Sequence, residues 1–267
     1  MVPGNRTIVR RCLLMLLLLD ISNLSIDIRV YQERKAVFSY RTYADKLRSE
    51  VEYGQMFQSF FELYHLSKSD FDGAILSSVV PSLTNRIRKA ASLAIGKDCL
   101  VVNRSLKTGL AIRMDNPNEV GSDLIAEALG AVNAYHNDCL IVDMSSVLSF
   151  LLVSEKKEFL GGSLFPGLLA SSSQMFQTHA QLMDIELEKP KRMLGKSTKE
   201  SMNCGIINGY VSLISSYCDR IEKEYGKPVL RILTGPDSSL VKDLLTGFQY
   251  HQDLVFDGLY DIYMKNQ

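Results

Sequence analysis

Two apolar runs in this chain each close on an aspartate followed by small polar residues. Residues 16–19 are all leucine and lead into Asp20, then Ile21, Ser22, Asn23 and Leu24. Residues 139–142 lead into Asp143, then Met144, Ser145 and Ser146. A short apolar run bounded by turn residues reads as a buried strand. Such a strand delivers its terminal carboxylate, together with a tight turn, to a cleft. Two of these units half a chain apart predict a duplicated α/β architecture with a site between the halves, each half presenting an acid to a metal–nucleotide complex. Two ordinary buried strands, each with a turn-capping Asp, account for the same pattern. A third acid, Asp123, opens an apolar stretch, where a helix dipole favours it with or without a chemical duty.

The elements that must position these acids alternate along the chain. Residues 26–31 and 36–40 read as strands of a meander joined by the polar turn Gln32-Glu33-Arg34-Lys35. Helical spacing covers 43–62, a buried strand covers 73–81 and runs into a loop, and a second helix spans 83–95 with Gly96 as its stop. After Asp143, residues 147–153 and 159–164 form another strand pair around 154–157. The clearest helix opens at Ser197-Thr198-Lys199-Glu200, a capping-box signature. Its apolar face carries Ile206, Tyr210, Leu213, Tyr217 and Ile221, and Gly226 ends it. Residues 229–233 are a strand entering Thr234-Gly235. No linker-like stretch separates the halves, so they are expected to pack closely.

Composition narrows the function classes. At 267 residues the chain holds one large or two modest domains. Its formal net charge is zero, leaving no global field to attract nucleic acid or an anionic membrane, and neither is expected as a partner. The five cysteines (Cys12, Cys99, Cys139, Cys204 and Cys218) are scattered without metal-ligand spacing, which points to core thiols in a reducing cytoplasm. His65, His136 and His251 likewise lack ligand spacing, and Lys189, Lys191 and Arg192 read as a solvated loop. Arg10-Arg11 followed by the leucine run mimics a signal peptide, but Asp20 ends the run and no small-residue cleavage site follows. Residues 1–14 are therefore expected to be an extension outside the fold, with the start at Met1 or Met15.

The run Asp115-Asn116-Pro117-Asn118-Glu119-Val120-Gly121-Ser122-Asp123 is similar to the Asn-Pro-x-Glu-Val-Gly-Ala-Asp-Arg segment of type III pantothenate kinases. Ser77-Ser78-Val79-Val80-Pro81, Gly161-Gly162-Ser163-Leu164-Phe165-Pro166-Gly167, Leu194-Gly195-Lys196-Ser197-Thr198, Asn208-Gly209-Tyr210 and Leu233-Thr234-Gly235 stand around it in the family's order. The similarity runs from about residue 15 to 265. It implies paired ribonuclease-H-like domains of the actin-like ATPase type, 15–120 and 121–267, flanking a cleft. It also implies a cytoplasmic homodimer that transfers the γ-phosphate of ATP to the primary hydroxyl of pantothenate, the first step toward coenzyme A. Mg²⁺ and a monovalent cation, K⁺ or NH₄⁺, are implied with it. By position, Asp123 would be the general base, and Asp20 would orient the Mg²⁺–phosphate complex, largely through water. Asp143 would help hold the monovalent cation. Asn23, Ser146 and Gly235 would line the ATP site, and Gly121 and His179 the pantothenate site.

The ligand loops depart from the family pattern. The family's Asp-x-Gly-Asn-Thr stands here as Asp20-Ile21-Ser22-Asn23-Leu24, and its Asp-x-Gly-Thr-Ala-Thr-Thr as Asp143 to Ser149 with Ser145 and Leu148 replacing a glycine and a threonine. A glycine there lets backbone N–H groups approach phosphate and permits a positive φ. Leu124 replaces the arginine after the base, His179 replaces a threonine, and Pro236 replaces the second glycine of Thr-Gly-Gly. Three readings stand on this pattern. One is a working pantothenate kinase, one a catalytically impaired homologue serving in binding or interaction, and one a kinase or phosphatase for another small substrate.

Overall fold

The computed structural model describes residues 14–103, 105–178 and 185–267. The expectation for the N-terminal extension falls, but for Leu14, outside the described residues, as do those for Cys12 and His179.

Five strands build the first sheet: β1 (Met15–Ile21), β2 (Ser25–Gln32), β3 (Lys35–Tyr43), β4 (Gly73–Ser78) and β5 (Cys99–Val101), in the order β3-β2-β1-β4-β5. β1 runs antiparallel to β2 and parallel to β4. The turn between β2 and β3 places Glu33 and Arg34 at φ 49° and 64°, the left-handed backbone that a two-residue hairpin turn demands. Helices α1 (Glu50–Leu63) and α2 (Pro81–Ile95) cover one face. The leucine run is continuous because both faces of β1 are buried. Leu17 and Leu19 enter the core beneath α1 and α2, while Leu16 and Leu18 enter the opposite one. The helix expected from residue 43 begins later. β3 keeps its pairing through Tyr43, opposite Ser25, and α1 waits for the reciprocal Ser49–Glu52 capping box.

The second half repeats the plan. β6 (Ala111–Ile112), β7 (Cys139–Met144), β8 (Val147–Ser154), β9 (Glu158–Pro166), β10 (Leu230–Thr234) and β11 (Phe248–Tyr250) form a sheet in the order β11-β10-β7-β8-β9-β6. As with β1, the central strand β7 is antiparallel to the hairpin strand that follows it and parallel to a later strand, β10. The remaining helices are α3 (Ser122–Tyr135), α4 (Leu168–Thr178), α5 (Thr198–Tyr225) and α6 (Leu254–Lys265). This is the duplicated ribonuclease-H-like architecture of the actin-like ATPases. The apolar face of α5 packs on the second core as its spacing predicts, through Ile206, Tyr210, Leu213, Tyr217 and Ile221. Only half of its capping box forms. Ser197 accepts from the Glu200 N–H, but the Glu200 carboxylate accepts from the Lys196 N–H instead of reaching the cap residue.

Of the elements not foreseen in the sequence, α6 does most to position the site. It packs on β1 and β4 and lies against α3, joining Phe256, Leu259, Ile262 and Tyr263 to Leu16, Leu18 and Ile75. The two helices touch through backbone: a Cβ on Gly258 would lie 1.8 Å from the Ala126 carbonyl oxygen. At the other end of α3, Ser122 Oγ accepts from the Ser78 N–H (2.9 Å) and donates to the Ser78 carbonyl (3.2 Å), pinning the helix start to the end of β4. No helix among the described residues is long and apolar enough to cross a membrane.

Candidate active site

The duplicated plan places Asp20 and Asp143 at equivalent points, near the C-terminal ends of the two central strands. Their registers bring matching neighbours, Ser77 beside Asp20 and Thr234 beside Asp143. Asp123 enters from α3, one residue beyond the Ser122 anchor. The three acids interact electrostatically, since Asp123 raises the proton affinity of both Asp20 and Asp143. The sequence-predicted acids thus gather where the ends of β1 and β7 meet the start of α3.

Each carboxylate has its own support. Ser77, wholly buried, donates its hydroxyl to Asp20 Oδ1. Burial and the surrounding acids nevertheless push Asp20 up to about 8, against the lowering effect of that hydrogen bond. Asp143 Oδ2 accepts from Ser145 Oγ at 2.7 Å, and burial raises its carboxyl to about 7. Asp123 is raised by burial too, while the first-turn N–H groups of Leu124 and Asp123 itself hold it down. Its Oδ1 is buried without a hydrogen-bond partner. A Cβ on Gly121 would lie 2.3 Å from that oxygen, so the glycine leaves room for the carboxylate to fold against the helix start.

The altered loops keep regular backbone. Neither Ser22 nor Ser145 has a positive φ, so neither position demands glycine for its conformation. Both hydroxyls serve their own turns: Ser22 Oγ donates to the Ser25 carbonyl (3.1 Å), and Ser145 Oγ also reaches the Val147 carbonyl (3.1 Å). Asn23 lies exposed in the first turn beside exposed Leu24, and Ser146 is half-buried in the second. Leu148 is fully buried in the second core, and Leu124 packs against the core beneath α3. Gly235 does need its freedom, with φ at 89° and a would-be Cβ 2.2 Å from Asp143 Oδ1. Pro236 opens the 3₁₀ turn Pro236–Leu240, where a missing N–H costs nothing.

Several participants were not foreseen. Asp27 faces Asp20 across the β1–β2 pair and is held by Arg41 on β3 (2.8 Å). Asp237 stands two residues after Gly235, and burial lifts it to about 6. Glu127, one turn beyond Asp123, is buried with its Oε2 unpartnered. Its four-residue spacing from Asp123 was a signal available in the sequence, whereas Asp27 becomes visible only once the hairpin register is set.

The described residues include no group of three or more His, Cys, Asp or Glu side chains that could hold a metal ion. The buried, unpartnered carboxylate oxygens nevertheless suit a hydrated Mg²⁺, which keeps several waters and takes one or two carboxylates along with substrate phosphates.

Comparison with known proteins decides the family. A sequence model of the family described as type III pantothenate kinase matches residues 16–220. The chain belongs to the type III pantothenate kinase family. Among relatives, the type III pantothenate kinase of Geotalea uraniireducens is 34% identical over 255 residues, 95% of this chain and 99% of that protein. The enzyme of the same name from Halalkalibacterium halodurans is 31% identical over 258 residues, covering 94% of this chain and all of the relative (100%). Among solved structures, a Baf family protein of Campylobacter jejuni superposes with a TM-score of 0.58 at 15% identity, covering 94% of this chain and 98% of that one. Component A of the Acidaminococcus fermentans (R)-2-hydroxyglutaryl-CoA dehydratase gives 0.50 at 11% identity, covering 94% and 97%. At those identities the two structures speak to the fold alone. Membership of the pantothenate kinase family brings ATP use with a divalent metal.

Proposed function

We propose that this protein is a working type III pantothenate kinase, transferring the γ-phosphoryl group of ATP to the primary hydroxyl of pantothenate. The observation that carries the reading is Asp123, half-buried, with one oxygen sealed from solvent and unpartnered, electrostatically linked to the two strand-end acids. Phosphoryl transfer asks a protein mainly to position the nucleophile and to offset charge. Asp123 takes the proton of the attacking hydroxyl. Its burial supports that role by lifting its proton affinity toward the working pH. Asp20, oriented by Ser77, would face the Mg²⁺–phosphate complex through water, and the ion supplies charge neutralisation on the transferring group. Asp143 would help hold K⁺ or NH₄⁺. Asn23 and Ser146, in equivalent turns, would meet the phosphates, Gly235 the nucleoside end, and Gly121 and His179 the pantothenate.

The regular backbone at Ser22 and Ser145 supports retained activity over an abandoned site. The division into 15–120 and 121–267 is supported by the two repeated sheets, with Ala111–Ile112 crossing to the second and α6 returning to the first. A homodimer is supported by the exposed apolar side chains Leu164, Leu169, Met193 and Leu194. A cytoplasmic setting is supported by the free, buried thiols of Cys99, Cys139, Cys204 and Cys218. The test is pantothenate-dependent ADP release at high ATP with Mg²⁺ and K⁺ or NH₄⁺, beside an Asp123→Asn control. Turnover that disappears in the control is expected. A folded wild-type protein no faster than the control would overturn the reading and leave a binding homologue.

A further inference from the structure

Arg41, on β3, has donors that its fold does not use. Across the first sheet, Ser77, Asp20, Asp27 and Arg41 stand opposite one another on β4, β1, β2 and β3. Residues paired this way point to one face of the sheet, and adjacent strands lie about 5 Å apart. Arg41 is therefore on the same side as Asp20, two strands away, with the buried Asp27 between them. Both Asp27 oxygens accept from Arg41 Nε, at 2.8 and 3.0 Å, and Oδ2 also accepts from Ser25 Oγ at 3.2 Å. A guanidinium is a planar fork of N–H donors that ordinarily grips a carboxylate at two points. Here a single N–H meets the carboxylate. The terminal nitrogens have no partner among the described residues, and 45% of the side chain is exposed.

Resting on the kinase reading above, we propose that these terminal nitrogens bind the phosphate chain of the nucleotide, and that Asp27 is the positioning residue that aims them. The first turn is poor in donors for phosphate: Ser22 Oγ is turned to the Ser25 carbonyl (3.1 Å), and exposed Leu24 carries no hydroxyl. An arginine fork, planar and charged at every working pH, matches two phosphate oxygens at once and makes good that shortage. Its charge also reaches the acids of the second half: burial raises Asp143 and Asp237, and Arg41 acts on both in the opposite sense. Held by a buried carboxylate on a sheet strand, the fork is set before the nucleotide arrives, so little side-chain freedom is lost on binding.

Calorimetric titration of full-length protein with Mg²⁺–ATP, without pantothenate, tests the assignment. Arg41→Gln should weaken binding at least about tenfold and make its salt dependence shallower, since a charge-assisted contact to phosphate is lost. Arg41→Lys keeps the charge that balances Asp27 and so provides a second folded variant, yet it loses the fork and should still weaken binding several-fold. Removing both charges in Asp27→Asn/Arg41→Gln separates phosphate binding from mere pairing. The double variant should bind Mg²⁺–ATP as weakly as Arg41→Gln alone, while a purely structural pair would recover wild-type affinity. Such recovery, or an Arg41→Gln protein that binds as tightly as the wild type, would overturn the proposal and leave the kinase reading standing. Wild-type protein that binds no Mg²⁺–ATP would overturn both.

Discussion

Adding one methyl group to Gly258 tests how α3, the helix that carries the base, is held. In an open helix interior, glycine to alanine gains about 1 kcal/mol from propensity. Gly54 on α1 is such a place, with no atom within 4 Å of its would-be Cβ. At Gly258 the same Cβ would stand 1.8 Å from the Ala126 carbonyl oxygen and 2.5 Å from its carbon. The obstruction is backbone, so no rotamer change relieves it, and one helix must move away from the other. Overpacking costs typically about 1–3 kcal/mol, and a backbone obstacle puts this case at the upper end. Set against the propensity gain, the net loss is about 2 kcal/mol. For a chain of this size that corresponds to a melting temperature lower by about 4–8 °C. Gly54→Ala should melt about 2–4 °C higher by the same scaling. Differential scanning calorimetry of the ligand-free protein reads both. Because Ala126 lies between Asp123 and Glu127, displacing α3 also misplaces the base, and ADP release well below the transition should fall at least about tenfold. A Gly258→Ala protein that melts at or above the wild-type temperature would show that α3 and α6 do not meet through backbone.

Other predictions follow from the same geometry. Asp123→Asn should lower ADP release by about 10²- to 10⁴-fold while the melting temperature changes little, as read by coupled assay and calorimetry. Ser77→Ala removes the donor to Asp20 inside a buried site. It should cost about 1–3 kcal/mol of stability and raise the KM for Mg²⁺–ATP more than that for pantothenate. The acids raised in the folded state make the ligand-free protein pH-sensitive. Asp20, at about 8, and Asp143, at about 7, bind protons more tightly folded than unfolded. Their contribution to stability is therefore full below the ordinary carboxylate range and is lost as pH rises through their folded values. Thermal melts without metal should drop from about pH 4 to about pH 8, and Mg²⁺ should recover most of the loss at the alkaline end. A flat profile would show that these acids are not buried together. Gly235→Ala, with its φ of 89° and Asp143 Oδ1 in the way, should lower both stability and activation by K⁺ in the ADP-release assay.

The sequence by itself determined the central strands, the three acids and the duplicated plan, because these rest on local patterns. An apolar run closing on Asp20 or Asp143 states its own strand and its end, and spacing alone brings out the face of α5. The motifs around Asp123 carried the family in the same way. Tertiary structure decided what depends on register and on contacts between distant segments. Asp27 faces Asp20 only because Glu33 and Arg34 set the hairpin pairing. The length of β3 was settled by its pairing with β2, over the helical periodicity of the residues after it. α6 carries no motif, yet it closes the core beneath β1 by fitting Gly258 against Ala126, a contact between residues far apart in the chain. Glu127 could be counted onto the face of Asp123 from the sequence. That its carboxyl is sealed without a partner is a property of burial, which only the packing of α3 between two sheets and α6 creates.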